Sequence, residues 1–122
     1  MSDLRRLVKD SCRYATTAPI NLATNNLNPV DTGAIVVNDR IFVKDQIDLK
    51  KNGIYLAKDG EAWVRSDDFN QDEDVLSGCE TPIREGVINI NKKFKLVTDD
   101  PIGIGTSDLN FQEVTSYLTL EQ

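Results

Sequence analysis

Residues 38–68 read NDRIFVKDQIDLKKNGIYLAKDGEAWVRSDD, and the part that most restricts the fold is GIYLAKDGEAWVR. Apolar and polar side chains alternate on both sides of Lys58-Asp59-Gly60. Alternation with a period of two, broken by Asp-Gly, is one of the strongest short-range signals for a β-hairpin. On the first strand Ile54 and Leu56 share one face, and Tyr55 and Ala57 share the other. On the second, Ala62 and Val64 oppose Trp63 and Arg65. Both faces carry apolar area, as expected of strands that pack inward and are partly covered outside.

The neighbouring segments extend the same reading. AIVV (34–37) and RIFVKDQ (40–46) are β-branched and aromatic runs separated by Asn38-Asp39, a turn dipeptide. Asn52-Gly53 favours positive φ and ends the polar connection after Asp45. A short strand is expected at Ile20–Ala23 within an otherwise loop-like 15–33. Others are expected at EGVINI (85–90), KKFKLV (92–97), Ile102–Gly105 and Asn110–Thr115. Near the start, Leu4, Leu7 and Val8 have helical spacing, and Ser2 or Asp3 is placed to cap one or two turns. Such a helix is marginal without packing. It is expected to lie on its own domain or to dock on a neighbouring subunit. The expected organisation is an N-terminal arm, 1–12, and a single all-β module, 13–122. The expected architecture is a compact β-sandwich or small β-barrel of roughly six to eight short antiparallel strands.

Composition narrows the function. With 122 residues, 28% charged and 39% hydrophobic, the chain fits one globular domain. A net charge of −6 opposes binding to nucleic acid and to anionic lipid. No apolar run approaches the ~20 residues of a membrane span, and MSDLRRLVKDSCRY lacks the apolar stretch of a secretory signal. Cys12 and Cys79 make no disulfide framework and read as small apolar residues of a protein made in a reducing cytoplasm. The chain contains no histidine, which removes the commonest general base, the histidine-dependent nucleophile systems and nearly all zinc sites. No enzyme, cofactor or metal is expected.

The remaining chemical candidates are weak. Asp68, Asn70, Asp72 and Asp74 alternate like the start of a calcium loop, but its sixth position is Glu73 and its twelfth Cys79, so a solvated acidic loop is the better reading. GIGTSD (103–108) lacks the third glycine and the helix of a pyrophosphate cradle and reads as a turn. No pair among the acidic residues stands out as a glycosidase dyad. Trp63, Tyr55, Tyr14 and Phe42 suit a sugar-stacking platform, yet aromatics on strands are more often core. Arg40, Lys44, Asp39 and Asp45 cluster around one strand, where an arginine–carboxylate pair between neighbouring strands would fix register.

One resemblance covers residues 13 to about 114. The order Arg13-Tyr14-Ala15-Thr16-Thr17, then Asn38-Asp39-Arg40-Ile41-Phe42-Val43-Lys44-Asp45-Gln46, Asn52-Gly53-Ile54-Tyr55, Trp63-Val64-Arg65 and Asp67-Asp68 resembles a recurring module of tailed-bacteriophage tail-fibre and baseplate-associated proteins. Gly86-Val87-Ile88-Asn89, Phe94 to Asp100, Ile102 to Thr106 and Phe111 resemble its later part. The family usually has glycine where Asn38 stands, and both tolerate positive φ. Residues 75–84 match weakly. The resemblance implies a fold and a place in a virion, with Asp39, Arg40, Val43, Lys44, Gln46, Asn52, Gly53, Ile54, Tyr55 and Trp63 as its structural core and no catalytic residues. It implies a small tail, neck or baseplate/fibre adaptor subunit made in the host bacterial cytoplasm. Its partners would be other virion proteins and copies of itself, a trimer among the forms open to it, and Leu4, Leu7 and Val8 would form its assembly arm. A capsid decoration protein and a carbohydrate-binding host-recognition module are the alternatives.

Overall fold

The computed structural model describes residues 7–115. It is all-β, with two small sheets. The first contains β1 (Tyr14–Ala15), β2 (Arg40–Val43), β3 (Gly53–Leu56) and β4 (Val64–Arg65), in that order. The second contains β5 (Glu80–Pro82), β6 (Lys93–Leu96) and β7 (Phe111–Glu113), also in chain order.

The covering of both faces expected of the hairpin strands is present in β3 and not in β4, where Val64 is exposed, and β2 shares it. Phe42 and Ile54 point into a core between the sheets, with Phe69, Phe94, Leu96 and Leu109. Ile41, Val43 and Tyr55 point the other way, into a second core roofed by Val30, Ile35 and the partly buried Ile20, Leu22 and Leu27. Successive side chains on a strand face opposite sides, so a strand with two covered faces must be apolar at consecutive positions. Ile41-Phe42-Val43 satisfies this, and all three are fully buried. Phe42 also packs edge-on to Phe111, ring centroids 4.7 Å apart, and against Phe94 at 5.4 Å.

Several expectations need correction. The pairing is not all antiparallel, because β1 runs parallel to β2, Tyr14 opposite Ile41. The helix proposed over 3–11 is not confirmed. Leu4 lies outside the described residues, and from Val8 onward the backbone is paired alongside 80–83, with bridges from Val8 to Glu80 and Cys12 to Ile83. Backbone pairing to an open sheet edge outweighs the weak helical preference of so short a segment. β3 and β4 do pair antiparallel, Tyr55 opposite Arg65. Their connection is longer than a two-residue turn, because Trp63 leaves the ladder and its N–H donates to the Leu22 carbonyl. Residues 20–23, 34–37, 85–90 and 102–105 are turns or irregular chain, while Glu80–Pro82 is a strand that the sequence did not announce.

One edge of each sheet is covered from within the chain. Residues 7–12 line the outer side of β5. The β5–β6 loop, 84–91, crosses the outer side of β1: Glu85 N–H donates to the Arg13 carbonyl, and Asn89 Nδ2 donates to the carbonyls of Ala15 and Thr16, each at 3.2 Å. Covering an edge removes a template for unwanted strand pairing.

Candidate functional site

The polar residues of the 38–55 stretch are engaged in holding the fold. Asn38 takes a φ of 71°, the positive value that its position in the turn requires. The Asp39 carboxylate accepts from Val36 N–H and from the Arg13 guanidinium, both at 2.9 Å. Arg40 reaches across to Asp68 in a two-pronged pair at 2.9 and 2.7 Å. This is the fork geometry of a strong charge-assisted contact. Lys44 lies over the Phe94 ring at 5.3 Å and pairs with Asp45. Gln46 clamps Ile20 by both backbone groups, each at 2.9 Å. Asn52 is buried, with Oδ1 accepting from Gln46 N–H and Nδ2 donating to the Leu109 carbonyl. Gly53 has a φ of 144°, and a Cβ there would meet the Arg65 guanidinium at 2.4 Å. Val43 and Ile54 are fully buried, and the Tyr55 hydroxyl donates to the Lys51 carbonyl at 2.7 Å.

The aromatic platform is not on the surface. Trp63 is 4% exposed, and its indole N–H is shared between the carbonyls of Asn26 and Lys58. Tyr14, Phe42 and Tyr55 are buried as well. The acidic loop is likewise taken apart by its partners. Asp68 faces Arg40 and Ser66, Asp72 accepts from Ile104 N–H at 2.8 Å, and Asp74 accepts from Gln71 N–H at 3.2 Å. Among the described residues no group of acidic or cysteine side chains is arranged to hold a metal. The 103–108 segment is a turn, with Gly105 at a φ of 87°.

Two anchors escaped the sequence reading. The first is Lys9, 3% exposed, whose ammonium donates to the carbonyls of Asp68 and Asp74 and lies 5.9 Å from the Phe69 ring centroid. Burial lowers its pKa, against the pull of nearby Cys79, Asp68 and Asp74. The second is Asp31, buried at a φ of 48°. Its carboxylate accepts from Ile88 N–H at 2.9 and 3.1 Å and from Asn89 N–H at 2.8 Å. Burial alone would raise the Asp31 pKa, but these backbone donors, with Val87, hold it below the ordinary value. Gly86 makes the approach possible: a Cβ there would stand 2.4 Å from Asp31 Oδ2. Neither residue belongs to an alternating or helical pattern, so neither left a periodic signal. Cys12 and Cys79 are free and buried, and burial pushes the Cys12 thiol up to about 12, leaving it protonated and unreactive.

Among the surface features of the described residues are a groove and an apolar loop. The groove, about 690 Å³, lies between turn 19–23 and the β3 side, with Pro19, Ile20, Leu22, Lys51 and Tyr55 among its walls. Its Gln46 and Tyr55 polar atoms are turned to the backbone, so it lacks the convergent polar groups of a specific small-molecule site. The loop carries Val87, Ile88 and Ile90, exposed by 67%, 59% and 45%, on backbone fixed from beneath by Asp31 and Asn89. Comparison with known proteins finds no matching family model, no matching curated protein and no matching solved structure.

Proposed function

We propose that this chain is a non-enzymatic bacteriophage virion protein, a small tail, neck or baseplate/fibre adaptor subunit that acts through protein–protein assembly. The observation that carries the reading is the use of the polar residues in the resembling stretch. Asp39, Arg40, Gln46 and Asn52 all bind backbone or partner side chains of the same fold. A stretch engaged in this way suits a scaffold, and the exposed aliphatic side chains of the 84–91 loop, on backbone held from within, suit assembly better than turnover. Of the alternatives, capsid decoration shares this support. The carbohydrate-binding alternative has lost its stated platform, because Trp63 is in the core.

The test is to locate the chain in particles by imaging virions that carry a tagged copy and to count copies by quantitative mass spectrometry. Density at the tail, neck or baseplate with a low copy number is the expected result. Density on capsomers would move the chain to the decoration class, and absence from particles would overturn the virion reading.

A further inference from the structure

Asn52-Gly53 is the only Asn-Gly pair in the sequence. In an unfolded chain such a pair is chemically weak, because glycine has no side chain to shield its backbone nitrogen from the asparagine amide. In the reaction the Gly53 nitrogen attacks Asn52 Cγ. The new N–Cγ bond forms as the Cγ–Nδ2 bond breaks, and the proton lost by Gly53 leaves with Nδ2 as ammonia. Water then opens the five-membered ring at either carbonyl, leaving aspartate or isoaspartate at position 52. Water is the only co-reactant, and nothing is oxidised or reduced.

The fold opposes the first of these steps. Asn52 is 1% exposed, and each of its polar groups is engaged. Its N–H donates to the Leu49 carbonyl at 3.2 Å, and its own carbonyl accepts from the Arg65 guanidinium at 2.8 Å. Oδ1 accepts from Gln46 N–H at 2.9 Å, and Nδ2 donates to the Leu109 carbonyl at 3.0 Å. The Asn52 ψ of 160° is extended, and in extended backbone the next nitrogen stands away from the side chain. Gly53 is fixed opposite Val43 at the start of β3. Ring closure must turn Cγ onto that nitrogen, so it requires this corner to open first.

We propose that Asn52-Gly53 is a deamidation site that the fold keeps shut, that it converts only in chains that open, and that conversion marks those chains permanently. The mark follows from what Asn52 joins. Its amide ties the chain leaving β2 to the segment that leads into β7. An aspartate there offers no donor to the Leu109 carbonyl and sets a carboxylate oxygen against it. An isoaspartate also adds one carbon to the main chain just before β3. A converted chain therefore cannot rebuild the same corner. The site is independent of the assembly reading and holds wherever the domain resides.

The experiment is to hold the full chain in mildly alkaline buffer with increasing guanidinium chloride and to follow conversion by peptide mass spectrometry. Mapping by peptide keeps position 52 separate from Asp59-Gly60, an exposed turn that also forms isoaspartate. In buffer alone, conversion at 52 should run about tenfold or more slower than in the unfolded chain, and it should quicken below the midpoint as the opened fraction grows. Gly53→Ala, compared in unfolding denaturant where its native strain plays no part, should convert several-fold more slowly. Chains converted in denaturant, separated by charge and returned to buffer, should unfold at a lower midpoint than unconverted chains carried through the same steps. Conversion in buffer as fast as in the unfolded chain would overturn the shielding. No conversion at 52 in the unfolded chain, or an equal rate in Gly53→Ala, would overturn the site, and equal midpoints would overturn the permanent mark.

Discussion

At the scale of single residues, Asp31 shows how one side chain fixes a surface from inside. Its carboxylate fills a concavity of backbone N–H groups at Val87, Ile88 and Asn89, with Gly86 at a φ of 116° leaving room for it. Asp31→Ala leaves those donors without their acceptor and is expected to cost about 2–3 kcal/mol, read as a lower urea midpoint. The sign with pH follows from the depressed folded-state pKa. The contribution is complete above the ordinary value of 3.8 and is lost as pH falls through the lower folded value. Asp31→Asn should therefore flatten the acid limb of the stability curve; an unchanged limb would contradict the assignment. Lys9 acts in the same direction at the alkaline end of the scale. Its folded pKa lies below 10.5, so the folded state gains stability as pH climbs from that lower value toward 10.5. Lys9→Met should remove this alkaline gain. At neutral pH it should cost about 1–3 kcal/mol, because the carbonyls of Asp68 and Asp74 lose a donor. Trp63, the only tryptophan, should emit as a buried indole, resist acrylamide quenching and stay unchanged when glycans are added.

At the scale of elements, the difference between legible and illegible parts has a physical cause. β2 and β3 could be read because both their faces are covered, which demands a run of apolar residues that no loop needs. Asn38 and Gly53 could be read because positive φ restricts the residue type. AIVV and EGVINI misled for the converse reason. Apart from the buried Ile35, their β-branched residues are exposed, and 85–90 is shaped by Asp31 and Asn89, contacts made 57 to 74 residues away in sequence. β5 was silent because Glu80-Thr81-Pro82 carries little β-propensity and is ordered by partners on both sides, β6 and the 7–12 segment. Two variants test these elements. Gly53→Ala forces a side chain into the Arg65 guanidinium at an unsuitable φ and should destabilise by roughly 1–3 kcal/mol in thermal or urea unfolding. Deleting residues 1–6 keeps every described contact. Deleting 1–12 takes away Lys9 and the fully buried Cys12 and exposes the outer side of β5, so the shorter protein should unfold or aggregate. Equal stability of the two truncations would show that the 7–12 segment is dispensable.

For the whole molecule, the path of the chain sets how the domain answers to force. Residue 7 enters beside Glu80, where β5 begins, and Val114 leaves beside Lys93, where β6 begins. These are opposite ends of the second sheet. Between them the segment 7–12 runs parallel to β5 and continues into β1, which runs parallel to β2. Tension applied between residues 7 and 115 is therefore directed along the strands rather than across them. The hydrogen bonds of the 7–12 segment and of β7 then share the strain as a group instead of opening one at a time from a frayed end. Pulled from these two points, the domain should hold to a higher force than when pulled from residue 7 and the loop that follows β6, which leave the second sheet at the same end. For a subunit whose neighbours grip it at its two extremities, mechanical endurance would come from the direction of the chain as much as from the depth of its core.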